Sequence, residues 1–269
     1  MDPAPKRRSE RVSFPGGSGF QLGGIVDFPV GEPLARVVFT HCFTCNKDLK
    51  AIVRISRGLA ELGFLVLRYD LTGLGHSSGD FSQTNFSTNR ADLAAAVEFV
   101  ATEYGKPQFL VGHSFGAACS LSSAQAIDSV LGVVSLAAPS DTSHLADRLL
   151  RMDPQISTAG CGSVTIGGRT FRIHEQMLHD FRSFDLPTTL RSLSKPALLF
   201  HSPEDETLGF EHVLRLYSLL TQRAQGDPAP SAASLMCLPG ADHLLVKNPA
   251  DITLVTQVIS AWMHRHIGN

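Results

Sequence analysis

The chain has 269 residues, of which 43% are hydrophobic and 18% are charged, and its formal net charge is −2. This composition is typical of one large globular domain, so we expect residues 1–269 to form a single domain. The only basic cluster is Lys6-Arg7-Arg8, which argues against binding to nucleic acid. No apolar run reaches the roughly 20 residues of a membrane span, and no signal peptide is recognisable.

The cysteine count bears on the compartment. Five cysteines are an odd number, and most of them lie in apolar segments that are expected to be buried. This usage is more typical of a reduced, cytoplasmic protein than of a secreted one.

The first elements predict an antiparallel hairpin. Residues 1–10 are expected to form a flexible tail. Residues 11–14 and 20–22 flank the Gly-rich turn at 16–19, and the second strand is expected to continue to about residue 27.

From residue 36 onward, short apolar strands alternate with amphipathic helices. Further strands are predicted at 37–39, 64–67, 109–111, 131–136, 197–200 and 234–238, and helices at 52–62, 89–104, from 117, 210–222 and 249–266. Nearly continuous apolar strands separated by helices indicate a sheet that is covered on both faces. The fold class is therefore α/β, with a mostly parallel eight-stranded sheet and helices on both sides.

The alternation breaks between about residues 140 and 194. Two stretches of alternating residues surround Gly167-Gly168 and predict a small hairpin. We interpret this insertion as a lid over the active site. The alternative is a surface excursion without a function.

A pentapeptide with the pattern G-x-S-x-G spans residues 112–116. An apolar strand precedes it and a helix of small residues follows, which is the setting of a nucleophile elbow. Such a turn holds the serine exposed in a strained conformation and needs small neighbours, so that the strand and the helix can approach each other. Ser114 is therefore the predicted nucleophile.

The predicted partners of the serine follow in the order acid, then histidine. Asp205 comes just after the strand that ends at Phe200, and His243 comes just after the last strand. A serine hydroxyl needs a base, and the base needs a carboxylate to orient it. Carboxyl ends of parallel strands meet at one sheet edge, so these three residues are the predicted catalytic triad. The other acids considered are Glu204, Glu206, Asp141 and Asp242, of which Asp242 is too close to His243 in sequence to orient its ring.

The oxyanion hole needs two backbone N–H groups. Phe115, directly after the nucleophile, is expected to supply one. The loop after strand 37–39 is expected to supply the other through Phe43, with Cys42 as the alternative. We also expect His41, Cys42, His76 and His113 to be candidates for lining the pocket, although His113, inside the elbow, is expected to point away from the nucleophile.

Cys42 and Cys45 form a C-x-x-C motif within this loop. The pair suits either a redox function or, with His41, half of a zinc site. No second pair completes four zinc ligands, and the favoured interpretation is two small residues that pack the loop. We predict no metal and no organic cofactor.

These features together resemble the α/β-hydrolase superfamily over nearly the whole chain. Further segments are similar to the hydrolase half of bacterial proteins in which an α/β hydrolase is fused to an OsmC-like domain. They are residues 41–45, 70–75, 84–86, 164–168, 201–205 and 240–245. The chain ends shortly after the last hydrolase helix, and we expect no OsmC-like domain in it. The resemblance implies a bacterial serine esterase.

The sequence therefore predicts a serine carboxylesterase (EC 3.1.1) that acts on small-molecule esters. The near-neutral charge and the compact lid favour short-chain, uncharged substrates. The alternatives are cleavage of thioesters, amides or peptides, and acyl transfer, because these reactions share the acyl-enzyme chemistry. A non-catalytic binding protein on the same fold is the alternative from another class.

Overall fold

The computed structural model describes residues 8–222 and 233–268. The strands are β1 (Arg8–Pro15), β2 (Gln21–Phe28), β3 (Ala35–Thr40), β4 (Phe64–Tyr69), β5 (Phe109–His113), β6 (Gly132–Leu136), β7 (Cys161–Ile166), β8 (Arg169–His174), β9 (Ala197–His201) and β10 (Ala233–Cys237). The helices are α1 (Lys50–Glu61), α2 (Phe86–Glu103), α3 (Phe115–Ser123), α4 (Ser143–Met152), α5 (Gln155–Thr158), α6 (Glu175–Ser183), α7 (Leu186–Arg191), α8 (Glu211–Thr221) and α9 (Pro249–Ile267). Short 3₁₀ helices cover Phe81–Gln83 and Ala124–Ala126.

Eight of the strands form one sheet in the order β1-β2-β4-β3-β5-β6-β9-β10. β1 pairs antiparallel with β2, and β2 pairs antiparallel with β4. The remaining neighbours pair in parallel. The predicted mostly parallel, eight-stranded sheet is confirmed.

Helices cover both faces of the sheet. Along β3, Val37 and Phe39 pack with the layer that contains α1 and α9, whereas Val38 packs with the layer that contains α2 and α3. Successive strand residues point to opposite faces, so a strand covered on both sides must be apolar at every position. This is why the central strands read as unbroken apolar runs in the sequence.

Most boundaries of the predicted elements agree with the sequence expectation to within two residues, and two of them differ by three residues. β1 begins at Arg8, which pairs with Phe28, so residues 8–10 belong to the sheet and not to a flexible tail. Residues 1–7 lie outside the described residues. α2 begins at Phe86 and not at residue 89, because Asn85 and Thr88 form a reciprocal capping box at its start.

The insertion between β6 and β9 contains α4, α5, the β7–β8 hairpin, α6 and α7. The hairpin predicted around Gly167-Gly168 is present, and its register pairs Ile166 with Arg169. Leu149, Val164 and Phe171 of the insertion are buried in the same core cluster as the α2–α3 layer. The insertion is thus packed onto the sheet domain. No helix within the described part of the chain is long and apolar enough to cross a bilayer.

Candidate active site

Ser114 lies in a sharp turn between β5 and α3. Its backbone adopts φ 53° and ψ −119°, a region that non-glycine residues rarely occupy. The Ser114 N–H donates to the main-chain oxygen of Leu136 on the neighbouring strand β6 at 2.7 Å. This is the strained strand-to-helix turn that the motif predicts.

The two glycines of the motif allow this turn by letting backbones approach each other. A Cβ on Gly116 would overlap the main-chain oxygens of Thr40 and His41. A Cβ on Gly112 would overlap the backbone of Ala117 at the start of α3. The glycines therefore bring the serine, helix α3 and the loop after β3 together.

Asp205 and His243 form a direct hydrogen bond. His243 Nδ1 lies 2.7 Å from Asp205 Oδ2, and both side chains are buried. Oδ1 of Asp205 accepts the N–H groups of Thr207 and Leu208 at 2.8 and 2.9 Å. Burial acts to raise the pKa of Asp205, but the hydrogen bond and charge of His243 and the two N–H donors outweigh it, and the pKa is lowered.

An ionised carboxylate can only accept a hydrogen bond, so His243 carries its proton on Nδ1. In the neutral ring, Nε2 then holds a lone pair that can act as a base. Ser114 and His243 line the same cavity, so a ligand there meets both side chains.

The alternative acids have other partners. Glu204 accepts the Gly240 N–H at 2.8 Å, and Glu206 is exposed. Asp242 accepts the N–H groups of Val246 and Lys247, and Asp141 accepts the His144 N–H and an Arg215 N–H. Of the acids that the sequence analysis considered, Asp205 is the one that contacts the His243 ring.

The loop after β3 borders the same cavity. Phe43 and Phe115 both line it, and their ring centroids are 5.5 Å apart. Cys42 and Cys45 also line the cavity and are joined by a disulfide. The favoured interpretation, two small residues that pack the loop, does not include this bond; the turn between the two cysteines brings their Cα atoms to 5.4 Å, which is within bridging distance.

Buried charges hold this loop against the sheet, and sequence reasoning missed them. Lys47, which is 4% exposed, bonds both oxygens of buried Asp70, through its N–H at 2.6 Å and through Nζ at 2.7 Å. Arg68 donates to the Lys47 main-chain oxygen and to Asp27 at 2.9 and 3.0 Å. The available signal was an arginine and an aspartate at the end of the apolar strand β4.

Two histidines expected in the pocket lie elsewhere. His41 is fully buried; its Nδ1–H donates to the Cys42 oxygen at 2.8 Å, and its Nε2 accepts the Leu71 N–H at 3.1 Å. Burial lowers the pKa of His41. The His76 side chain is 70% exposed and bonds Lys47 Nζ. Both rings are structural neighbours of the loop after β3 and do not line the cavity.

His113 also does not line this cavity. Its Nε2–H donates to the main-chain oxygen of His243 at 2.8 Å, and the two ring centroids are 5.1 Å apart. Burial lowers the pKa of His113 to about 3. The ring is therefore neutral and supports the backbone of His243 from behind.

The cavity has a volume of about 660 Å³, within the usual range for small-molecule sites. Most of its wall is apolar and comes from the loop after β3, from α4 and from the β9 and β10 loops. The apolar lining residues include Phe43, Leu49, Phe115, Pro139, Leu145, Leu149, Met152, Ile166, Leu208 and Leu244.

Comparison with known proteins agrees with the fold. The family model described as "Serine aminopeptidase, S33" matches residues 31–160, a range that includes Ser114 and the loop after β3. A crystal structure of an esterase domain from a Rhodothermus marinus protein is 35% identical. It covers 97% of this chain and is itself fully covered, with a TM-score of 0.74. Est1E from Butyrivibrio proteoclasticus with bound ferulic acid has a TM-score of 0.80 over 96% of this chain, but at 20% identity it supports only the fold.

Two curated relatives are more distant. The α/β-hydrolase domain-containing protein aho-3 of Caenorhabditis elegans is 26% identical over 79% of this chain, which spans about half (54%) of its length. The mitochondrial palmitoyl-protein thioesterase ABHD10 of Mus musculus is 23% identical over 71% of this chain and 68% of its own length. From the topology, the elbow and the full-length match to the esterase domain, this chain belongs to the α/β-hydrolase superfamily.

Proposed function

We propose that the protein is a serine hydrolase that cleaves carboxylic esters through an acyl-enzyme. The observation that carries this proposal is the 2.7 Å hydrogen bond between Asp205 and His243, together with the cavity that His243 lines with the strained Ser114. This chemistry requires a nucleophile, a base and a carboxylate that orients the base, and we assign these functions to Ser114, His243 and Asp205.

The first step is attack by the Ser114 hydroxyl on the acyl carbon. His243 Nε2 takes the hydroxyl proton, and the resulting imidazolium is stabilised by the ionised Asp205. The tetrahedral intermediate collapses, and His243 delivers its proton to the leaving alcohol. Water, deprotonated by the same nitrogen, then attacks the acyl-enzyme and releases the carboxylic acid.

The negative charge on the tetrahedral oxygen needs fixed donors. We assign this function to the backbone N–H groups of Phe115 and Phe43. Phe115 is the first residue of α3, where N–H groups are free and the helix dipole favours an anion. Phe43 lies in a loop that the disulfide, Lys47 and Asp70 hold in place.

Short acyl chains are the expected substrates. The Phe43, Phe115 and Phe181 rings pack against one another, with centroids 5.5 to 6.0 Å apart, beside the proposed oxyanion donors. We propose that these rings bound the acyl side of the site, which favours short acyl chains. Thioester cleavage is the second candidate, favoured by the similarity to the mouse palmitoyl-protein thioesterase.

The test is hydrolysis of 4-nitrophenyl esters from acetate to palmitate by wild type, Ser114→Ala and Ser122→Ala. Loss of the nucleophile should lower kcat by roughly 10⁴- to 10⁶-fold, as in other triads. Ser122 is the matched control, because among the described residues its hydroxyl bonds only the main-chain oxygen of Cys119 within α3. Near-normal turnover by Ser114→Ala would refute the mechanism. Serine-dependent cleavage of palmitoyl thioesters without cleavage of any ester would favour the second candidate.

A further inference from the structure

Three cationic side chains line the cavity from three different elements. Lys50 is the first residue of α1, Arg148 lies on α4, and Arg169 begins β8 at the hairpin turn. All three residues are exposed. We refer to Lys50, Arg148 and Arg169 as the cationic rim.

Helix α4 places its arginine among apolar lining residues. Leu145, Arg148, Leu149 and Met152 all line the cavity, and their spacing puts them on one helical face. Arg169 lies at the turn between β7 and β8, and its guanidinium lies 5.3 Å from the Phe171 ring centroid. The cavity thus combines an apolar wall with positive charge.

The rim lacks partners that would neutralise it. Some other cations of the protein, Lys47, Arg68, Arg182 and Arg215, lie within 3.0 Å of a carboxylate. Within residues 8–222 and 233–268, no ion pair to a carboxylate involves the three rim residues. Asp48 is the acidic residue among the described lining residues, and it bonds Arg68 at 2.9 Å and Lys47 at 3.3 Å.

Fold stability does not account for Lys50. A cation in the first turn of a helix interacts unfavourably with the helix dipole. The N-cap residue Leu49 provides no side-chain hydrogen bond, and no acidic residue lies in the first turn of α1. The nearby Asp48 already contacts Lys47 and Arg68, so the positive charge of Lys50 has no carboxylate partner of its own among the described residues.

We propose that the natural substrate carries an anionic group, a carboxylate or a phosphate, which binds at the cationic rim while the ester lies at Ser114. This inference rests on the proposed ester hydrolysis. A guanidinium binds such groups with two parallel hydrogen bonds, and the cavity focuses the field of the three charges. The whole-chain charge of −2 favoured an uncharged substrate, but the charge along the cavity wall differs from the total.

The anionic group belongs to either the acyl or the alcohol part of the ester, and two matched substrate pairs distinguish these cases. For the acyl part, the mono-4-nitrophenyl ester of glutaric acid is compared with the neutral diester in which the second carboxyl group is methylated. For the alcohol part, 4-acetoxybenzoate is compared with its methyl ester. The readout is the ratio of kcat/KM for the anionic and the neutral member of each pair.

For wild type we expect a ratio of roughly 10 in at least one pair at low salt, because each exposed cation contributes about two- to threefold. The triple variant Lys50→Gln, Arg148→Gln, Arg169→Gln should bring the ratio close to 1, and 0.5 M salt should do so in wild type. Lys106→Gln is the matched control. This exposed lysine precedes β5 at the sheet edge opposite the site, so its loss should leave the ratio unchanged.

Binding to the Ser114→Ala protein tests the rim independently of turnover. Calorimetric titration with 4-phenylbenzoate should show roughly tenfold tighter binding than with 4-phenylbenzyl alcohol, and the rim substitutions should remove the difference. Equal binding of the two compounds, or a difference that survives the triple substitution, would overturn the inference. A failure of the proposed function gives a different result. In that case neither ester of either substrate pair is cleaved in a Ser114-dependent way, while 4-phenylbenzoate still binds more tightly than 4-phenylbenzyl alcohol.

Discussion

Replacing His113 with phenylalanine tests whether this buried ring stays neutral in the folded protein. Its Nε2–H donates to the His243 main-chain oxygen at 2.8 Å, whereas Nδ1 has no hydrogen-bond partner among the described residues. Leaving the buried carbonyl unpaired costs about 1–3 kcal/mol, and removing the unpaired Nδ1 offsets part of this. We expect His113→Phe to lower the free energy of unfolding by about 1–2 kcal/mol at pH 8.

The effect of His113→Phe on the free energy of unfolding should change sign in acid. Burial lowers the pKa of His113 from its ordinary value of 6.5 to about 3 in the folded protein. Below pH 6.5 the unfolded chain binds a proton that the folded protein does not, so wild type loses up to about 1.4 kcal/mol of stability per pH unit. The variant lacks this loss, and the two unfolding free energies should become equal between about pH 5 and 6.

Urea unfolding of both proteins at pH 8, 7, 6 and 5 measures this directly. Other titrating groups are shared, so the pH dependence of the difference between the two curves reports His113 together with its neighbour His243, whose ring centroid is 5.1 Å away. Agreement of far-ultraviolet circular dichroism with tryptophan fluorescence checks that unfolding is two-state. A stability difference that is the same at every pH would refute a neutral, buried His113.

Two further predictions concern the site. Asp205→Asn should lower kcat about 10⁴-fold, because the amide cannot hold the reactive tautomer of the base, while Glu204→Gln should retain kcat within about threefold in the same 4-nitrophenyl acetate assay. Replacing Cys42 and Cys45 together with serine removes a four-residue loop closure and should lower the unfolding free energy by about 2 kcal/mol. Urea unfolding of the non-reduced proteins tests this, and equal midpoints for the double variant and wild type would show that the bridge is absent in solution.

The sheet was predictable because burial on both faces forces apolar residues at every strand position. The apolar strand segments also predicted the position of the candidate site, because Ser114, Asp205 and His243 each lie directly after a strand or in the loop that follows it. The G-x-S-x-G pattern also predicted the elbow, because Gly112 and Gly116 are needed where strand, helix and loop backbones approach each other closely.

Features that depend on tertiary partners could not be predicted from the sequence. Nothing near Lys47 in the sequence shows that it meets Asp70, and the pair is brought together by the loop after β3 crossing the end of β4. His41 and His76 were misplaced for the same reason, because a histidine's position along the chain does not say whether its ring faces a cavity or a neighbouring loop. The start of α2 is a different case, since the Asn85 and Thr88 capping pattern was present in the sequence and was overlooked.

The separation of the site residues along the chain has a consequence for biosynthesis. His113, next to the nucleophile, and His243 are 130 residues apart. At about 5–20 residues per second, a ribosome needs roughly 10 s to make this stretch. Throughout that time the nascent chain carries Ser114 without its proposed base, so the hydroxyl keeps the weak nucleophilicity of an ordinary serine. The esterase activity that we propose can begin only after β10 has joined the sheet edge, which would make activity a late indicator that the chain has folded.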